Sequence, residues 1–440
     1  MANKSSQLRL GDTLSVFPAP VVRPSQYSPR ILIIGGGVIG LITAWVLLDK
    51  GYRVTIVAKE WASFGKAQRL TSQISGALWE YPPAVCGQHT DTISLRHSKI
   101  WSMTSYKIFD DIASSPELSK ASGVRMMPVN FFFPAPIEDI PEQFCKMKEI
   151  MSSGIRGFKR DAGLIQQRGI SPTYGGAVDA YEHIAPVIDT DQAMGWLQNL
   201  VEKKGAKLIT KTIHGDLFNQ EDSLRAEYNA DIIVNATGHG GIELAGDRTC
   251  YPIRGGLIRI INDGKDFPKI EHALAITADA AGSMNEIVFI VPRNDNILLL
   301  GGIAEPYEGT LDYTLDTPII KRMRDRCERF YPPFKNARMD PDYPLAQGLR
   351  PFRQSNVRVE RELRFHQEPF RGGLFMRPSR IVHSYGHGGA GWSLSFGCAN
   401  DVLGLIEEAL LDIVPKPLGL EDNEEALPGK IEMPQAMARL

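Results

Sequence analysis

Residues 30–60 constrain this chain more than any other stretch. They read RILIIGGGVIGLITAWVLLDKGYRVTIVAKE. An apolar, β-branched run, Ile31–Ile34, enters Gly35-Gly36-Gly37-Val38-Ile39-Gly40. A long apolar segment of helical length follows, then a second β-branched run, Val54–Val57, and an acid at Glu60. Strand, G-x-G-x-x-G, helix, strand and acid in that order make one βαβ unit. Each part has a physical task. Gly35 permits the tight turn, Gly37 lets backbone N–H groups approach a pyrophosphate, and Gly40 lets the helix lie close on its strand. The helix N-terminus, with Val38 and Ile39 in its first turn, favours the negative charge of a phosphate. Glu60, with Lys59 beside it, is placed to accept hydrogen bonds from ribose hydroxyls. The unit predicts dinucleotide binding at the edge of a parallel sheet.

Composition narrows the rest. The chain has 440 residues, enough for two or three domains, with 43% apolar and 23% charged residues. A net charge of −2 gives no general attraction to nucleic acid or to an anionic membrane. The five cysteines (Cys86, Cys145, Cys250, Cys327, Cys398) are scattered, with no Cys-x-x-Cys and no Cys/His cluster. Free thiols in a reducing compartment and no metal site are expected. No apolar run reaches transmembrane length. Residues 1–29 lack the basic-then-apolar layout of a signal peptide and carry Pro18, Pro20 and Pro24, so they read as an extended arm. From Pro415 the chain is rich in proline and acids and closes on Ala438-Arg439-Leu440, a variant of the Ser-Lys-Leu peroxisomal address. It predicts a peroxisomal import receptor as partner, with the cytoplasm as the alternative location.

Periodicity lays out the middle. A helix is expected over His97–Ala113 and another over Thr190–Lys204, with Thr190 as its N-cap. Lys207–Leu217 alternates like a strand. Ala230–Gly238 (ADIIVNATG) reads as a buried strand beside the first two. Leu257–Ile261, Glu286–Val291 and Ile297–Leu300 lack helices between them and suggest an antiparallel sheet, with a hairpin turn at Arg293–Asn296. Val382–Ser384 runs into Tyr385–Gly391 (YGHGGAG) and a helix from Trp392 to about Ile413. The expected division is an arm (1–29), a discontinuous dinucleotide domain (30–105, 190–245, 345–414), an inserted domain (106–189, 246–344) and a tail (415–440).

The Tyr385–Gly391 loop again sets glycines before a helix, so backbone N–H groups can face a negatively charged group. With it the chain resembles the D-amino-acid oxidase and D-aspartate oxidase family of FAD enzymes. The resemblance runs from Arg30 to about Ile413. It is carried by ILIIGGGVIGL, TSQISGALW (Thr71–Trp79), IVNATG (Ile233–Gly238), PIRGG (Pro252–Gly256), VPR (Val291–Arg293) with LGG (Leu300–Gly302), GLRPFR (Gly348–Arg353) and HSYGHGGAGWSLSFGCA (His383–Ala399). It implies an α/β fold in which a Rossmann-type FAD-binding domain carries an inserted, mostly antiparallel substrate domain. It also implies an oxidase that converts a D-amino acid or related amine to the imino or 2-oxo acid, with dioxygen reduced to hydrogen peroxide. A homodimer is compatible with it. Residue by residue, Gly35, Gly37, Val38, Ile39, Gly40, Lys59 and Glu60 look like the adenosine-diphosphate site. Thr71, Ser72, Gly76 and Leu78 fall where the family lays a loop along the flavin, and Gly238 falls near the pyrophosphate. Gly388 and Gly389 fall in the family's cofactor-binding loop, and Gly391, Trp392 and Ser393 fall where the family begins the helix that faces the flavin C2 carbonyl. Gly389 falls where the family's backbone carbonyl meets the substrate amine, and Arg350 sits where the family has its carboxylate-binding arginine.

Arg350 also has a direct argument, since a guanidinium grips a carboxylate through two parallel hydrogen bonds that fix orientation. Arg353 reads as structural and Arg254 as either. His387 reads as structural, because hydride transfer from a neutral amine needs no strong base. Cys398 invites a covalent flavin link, but the family pattern has a cysteine in a similar place without that bond, so FAD is expected to be non-covalent. One departure stands out. The family places a tyrosine three residues before the proline of the VPR-like turn, where this chain has Phe289. The lost hydroxyl removes roughly 1–3 kcal/mol of carboxylate binding unless Tyr307, Asn285 or Arg293 replaces it. A dedicated amine oxidase of secondary metabolism, acting on a larger or N-substituted substrate, is therefore the alternative.

Overall fold

A computed structural model describes residues 7–84, 92–171, 176–276, 286–354, 356–370 and 373–417. The N-terminal half begins with β1 (Arg30–Ile34), α1 (Val38–Asp49), β2 (Arg53–Ala58), the single turn α2 (Thr71–Ile74), α3 (Thr92–Ser114) and α4 (Pro116–Ser122). It continues with β3 (Val124–Phe133), α5 (Pro141–Ser152), β4 (Lys159–Arg160), α6 (Leu164–Gln167), β5 (Asp179–Ile188) and α7 (Thr190–Lys203). Then come β6 (Lys207–Thr210), α8 (Glu221–Tyr228), β7 (Ile232–Asn235), α9 (Gly241–Leu244), β8 (Cys250–Ile261), β9 (Ala273–Ile276), β10 (Glu286–Pro292), β11 (Ile297–Ile303) and β12 (Glu305–Pro306). The last elements are α10 (Pro318–Phe330), β13 (Leu345–Arg353), β14 (Arg358–Arg361), β15 (Phe365–Phe370), β16 (Gly373–Pro378), β17 (Ile381–Tyr385) and α11 (Gly391–Leu410).

Two large sheets organise these elements. The first has the order β14-β17-β7-β1-β2-β6, parallel except for β14. β7 and β17 are buried throughout and β1 beyond Arg30, which is why they read as continuous apolar runs. Helix α1 is buried on every side, lying against α7 and α11, and so shows no amphipathic stripe. The second sheet has the order β12-β8-β11-β10-β9-β3-β5-β4, with β13 also on β8. All its pairs are antiparallel except β3 with β9. Ligand sites in such folds lie outside the carboxyl ends of the parallel strands, and here the second sheet faces that end.

Four sequence expectations change. Leu345–Arg353 pairs along its whole length with β8, so it belongs to the second sheet, not to the first as a boundary at 345 implied. Helix α3 runs unbroken through the expected boundary at 105, because its face packs on α11. The N-cap of α7 is Asp189, whose carboxylate accepts from the Gln192 N–H; Thr190 is the first helical residue. The strand after Lys207 ends at Thr210. The described part of the N-terminal arm is irregular but pinned. Asp49 of α1, fully buried, accepts from the N–H groups of Ser15 and Val21, from Trp45 Nε1 and from Lys204 Nζ at 2.6 Å. Residues 418–440, including Ala438-Arg439-Leu440, lie outside the described residues.

Candidate active site

The turn after β1 is built as the glycine spacing predicts. Gly35 has φ +124°, and a Cβ there would come within 2.7 Å of the Ala236 carbonyl carbon. A Cβ on Gly40 would overlap the Gly35 carbonyl oxygen, so helix and strand meet at glycine contact. Gly37 caps α1 without any side-chain hydrogen bond, and the first turn holds no acid. The cap itself thus offers the first turn no acceptor, which suits an external anion. The Val38 N–H donates to Ser72 Oγ at 3.1 Å, tying this turn to α2. The second glycine loop repeats the arrangement. Helix α11 starts at Gly391 with Ala390 as N-cap, again with neither side-chain cap nor acid in its first turn. Gly388, at φ +56°, has no room for a Cβ because the Phe352 ring lies 2.8 Å away. Trp392 Nε1 donates to the Ser72 carbonyl at 2.9 Å. Ser72 thus joins both helix N-termini.

One cleft of about 810 Å³ runs between these loops and the second sheet. Of the sequence-predicted residues, Gly35, Gly37, Val38, Ile39, Lys59, Glu60, Thr71, Ser72, Gly76, Leu78, Gly238, Phe289, Arg350, Gly388, Gly389, Gly391, Trp392 and Ser393 line it. Gly40 stands just behind the wall. Tyr307 does not line it. It is 65% exposed and stacks on Tyr251 at 4.5 Å, so it is withdrawn as a substrate-binding residue. Arg293 is also withdrawn as a replacement. It is fully buried and donates to the carbonyls of Ile188 and Ser75 and to Thr190 Oγ1. Arg254 is structural, held by Glu305, Asp312 and the Tyr313 ring, and Arg353 is held by Asp247 at 2.7 Å. Asn285 lies outside the described residues. The structure adds residues the sequence did not point to. Gln68, Ile287 and Leu311 line the cleft, as do Lys211–His214 at the carboxyl end of β6 and Glu243 in α9. None belongs to a motif; only folding, which brings loop, strand and helix positions together, marks them.

Charge is distributed unevenly in the cleft. Arg69 is paired with Asp191, Glu80 with Lys146, Lys211 with Glu227, and Glu243 with His214. Among the described residues, only Lys59, Glu60 and Arg350 of the charged lining side chains have no ionic partner. Lys59 and Glu60 directly follow β2, beside the first glycine loop. Arg350, on β13, reaches over Gly255, and among the described residues its side chain makes one hydrogen bond, from Nη1 to the Ile303 carbonyl at 3.2 Å. Around that end the wall is apolar, from Ile287, Phe289, Leu257 and Leu311. Three lining residues keep a buried polar atom that finds no partner among the described residues: Ser384 Oγ, His387 Nε2 and His239 Nδ1. Burial pushes His387 down to about 3 and lowers His239, so both imidazoles are neutral. Cys398 is fully buried in α11, does not line the cleft, and has its thiol pushed well up by burial. It is not positioned to bond a group in the cleft.

Residues 30–403 match the family described as FAD dependent oxidoreductase. A D-amino-acid oxidase of Streptomyces coelicolor is 29% identical over 374 residues, covering 84% of this chain and 95% of that one. One of Dictyostelium discoideum is 29% identical over 385 residues, covering 87% and 92%. Among solved structures, glycine oxidase from Bacillus cereus superposes with a TM-score of 0.60 at 16% identity, covering 89% of this chain and 99% of that one. Iminodiacetate oxidase from Chelativorans sp. gives 0.62 at 14%, covering 86% and 95%. These two structures share the fold. The cleft suits FAD on its own evidence: two uncapped helix N-termini, a turn with no room for a side chain, and unpartnered buried polar atoms in the walls.

Proposed function

Because the chain belongs to the FAD-dependent oxidoreductase family, we propose that it oxidises the amine carbon of a D-amino acid, or of a related carboxylate-bearing amine, with dioxygen as final acceptor. The observation that carries this reading is the three charges without an ionic partner among the described residues, Lys59 and Glu60 toward one end of the cleft and Arg350 toward the other. Lys59 and Glu60 mark the end that takes the adenosine of FAD, and Arg350 marks the end that takes a carboxylate. Bound FAD supplies the two-electron acceptor and the route from there to hydrogen peroxide. Arg350 fixes the substrate carboxylate, and the Gly389 carbonyl accepts a hydrogen bond from its neutral amine. The apolar wall of Ile287, Phe289 and Leu311 excludes water and takes the side chain. Holding the reacting C–H in one position supplies much of the rate. His387, neutral and weakly basic, is not needed as a base. Three fixed points leave the side chain one direction, which sets the D-configuration. The imino product is hydrolysed to the 2-oxo acid and ammonia.

The absence of a hydroxyl at Phe289, with apolar neighbours, favours a second reading: a larger or N-substituted substrate of a dedicated pathway. A peroxide-release panel of D- and L-amino acids, cyclic imino acids and N-methyl amino acids separates the two. Turnover confined to N-substituted substrates selects the second, and equal rates for both enantiomers overturn the stereochemical argument. Acid precipitation should leave yellow FAD in the supernatant; colour retained in the pellet would refute non-covalent binding. The ending Ala438-Arg439-Leu440 supports a peroxisomal location, where released peroxide meets catalase.

A further inference from the structure

The turn between β7 and α9 touches the cleft from one side and a buried polar chain from the other. Thr237 and Gly238 line the cleft, and the Ala236 carbonyl lies against Gly35, the tight turn of the first glycine loop. This turn is held by Asn235, fully buried at the end of β7. Its Oδ1 accepts from the Thr237 hydroxyl at 2.7 Å and the Thr237 N–H at 3.3 Å. Those two donors fix which way the amide points. Asn235 Nδ2 therefore donates, and its acceptor is Nδ1 of His383 at 3.3 Å, on the neighbouring strand β17. With Nδ1 accepting, the proton of the neutral imidazole sits on Nε2, which donates to Glu362 Oε2 at 3.2 Å. Glu362 is 3% exposed and also accepts from Arg364, through its backbone N–H at 3.1 Å and Nη2 at 2.8 Å. Arg364 in turn grips Asp216. From Thr237 through Asn235 and His383 every donor points toward Glu362, which accepts from both sides, and each of these members leaves the next a single orientation.

We propose that His383 and Glu362 are positioning residues for FAD: they set the orientation of Asn235 and so hold the Ala236–Gly238 turn, and through it Gly35, in the shape that receives the pyrophosphate. The proposal rests on the family's cofactor occupying this cleft. The alternative is that the chain only supports the sheet.

The test is FAD affinity of the full-length apoprotein, titrated by quenching of flavin fluorescence, with thermal unfolding of the apoprotein measured in parallel. His383→Leu leaves Asn235 Nδ2 without an acceptor and should weaken FAD by about tenfold or more. His383→Asn, whose amide oxygen can take the place of Nδ1, should recover most of that. Placed on Asn235→Ala, which already removes the link, His383→Leu should cost no further FAD affinity. Should His383→Leu fail to fold, Glu362→Gln carries the test. An amide cannot accept from both Arg364 donors and from His383, so it too should weaken FAD, and not in the Asn235→Ala background. Unchanged FAD affinity in a folded His383→Leu or Glu362→Gln protein overturns the proposal, as does a loss that simply adds to that of Asn235→Ala. Because no substrate enters the assay, these results stand apart from the substrate assignment.

Discussion

Gly255→Ala isolates the proposed role of Arg350 without touching Arg350. Gly255 lies on β8, paired across β13 with Gly348, and its missing side chain is the space the Arg350 guanidinium occupies. A Cβ there would lie 2.5 Å from Arg350 Cζ and from Nη2, which no van der Waals contact permits. The atoms met are the far end of a flexible side chain, so Arg350 moves and the sheet stays. Alanine for glycine inside a strand favours the fold by about 0.5–1 kcal/mol. Denaturation midpoints should thus be equal or slightly higher, and FAD should remain bound. A displaced guanidinium loses at least one charge-assisted hydrogen bond to the substrate carboxylate, about 1.5–3 kcal/mol. At 1.4 kcal/mol per decade, kcat/KM should fall about 10- to 100-fold for a D-amino acid. The matched amine without a carboxylate should be unaffected. The assay is peroxide release for both substrates with both proteins. An unchanged kcat/KM for the carboxylate would refute the placement of Arg350. An equal loss for both substrates would show that Gly255 acts on the cleft as a whole.

Three further outcomes are expected. Gly76→Ala puts a Cβ 2.6 Å from Cζ of the Phe289 ring, so it should displace the 71–78 loop and weaken FAD, at a stability cost of about 1–3 kcal/mol; a titration showing wild-type FAD affinity would contradict this. Lys204→Met strands the fully buried Asp49 carboxylate beneath the N-terminal arm and should cost about 3–5 kcal/mol in urea unfolding, whereas a loss near zero would mean that Asp49 is carried by its three neutral donors alone. A fluorescent protein fused to the N-terminus should give punctate cellular signal that turns diffuse when Ala438-Arg439-Leu440 is deleted, and diffuse signal from the intact chain would place the protein in the cytosol.

Sequence alone determined the first βαβ unit and the second glycine loop. In each case the physical demand is local. A turn against a carbonyl excludes a Cβ at Gly35, a helix lying on its strand excludes one at Gly40, and a buried parallel strand must be apolar throughout. Such demands are written in consecutive residues. What only the tertiary structure decided is set by partners far apart in the chain. Leu345–Arg353 carries the same alternation whichever sheet it joins, and its place was fixed by nine register pairs with β8. Arg254, Arg293, Arg350 and Arg353 are alike as letters. Arg254 and Arg353 are held by carboxylates and Arg293 by carbonyls and the Thr190 hydroxyl, whereas Arg350 lines the cleft with a single side-chain bond, to the Ile303 carbonyl, among the described residues. Tyr307 carries the hydroxyl that Phe289 lacks, yet the chain turns it outward against Tyr251. The relay through Asn235, His383 and Glu362 leaves no spacing pattern either, because Asn235 ends β7, His383 lies within β17 and Glu362 follows β14, and only sheet pairing brings them together.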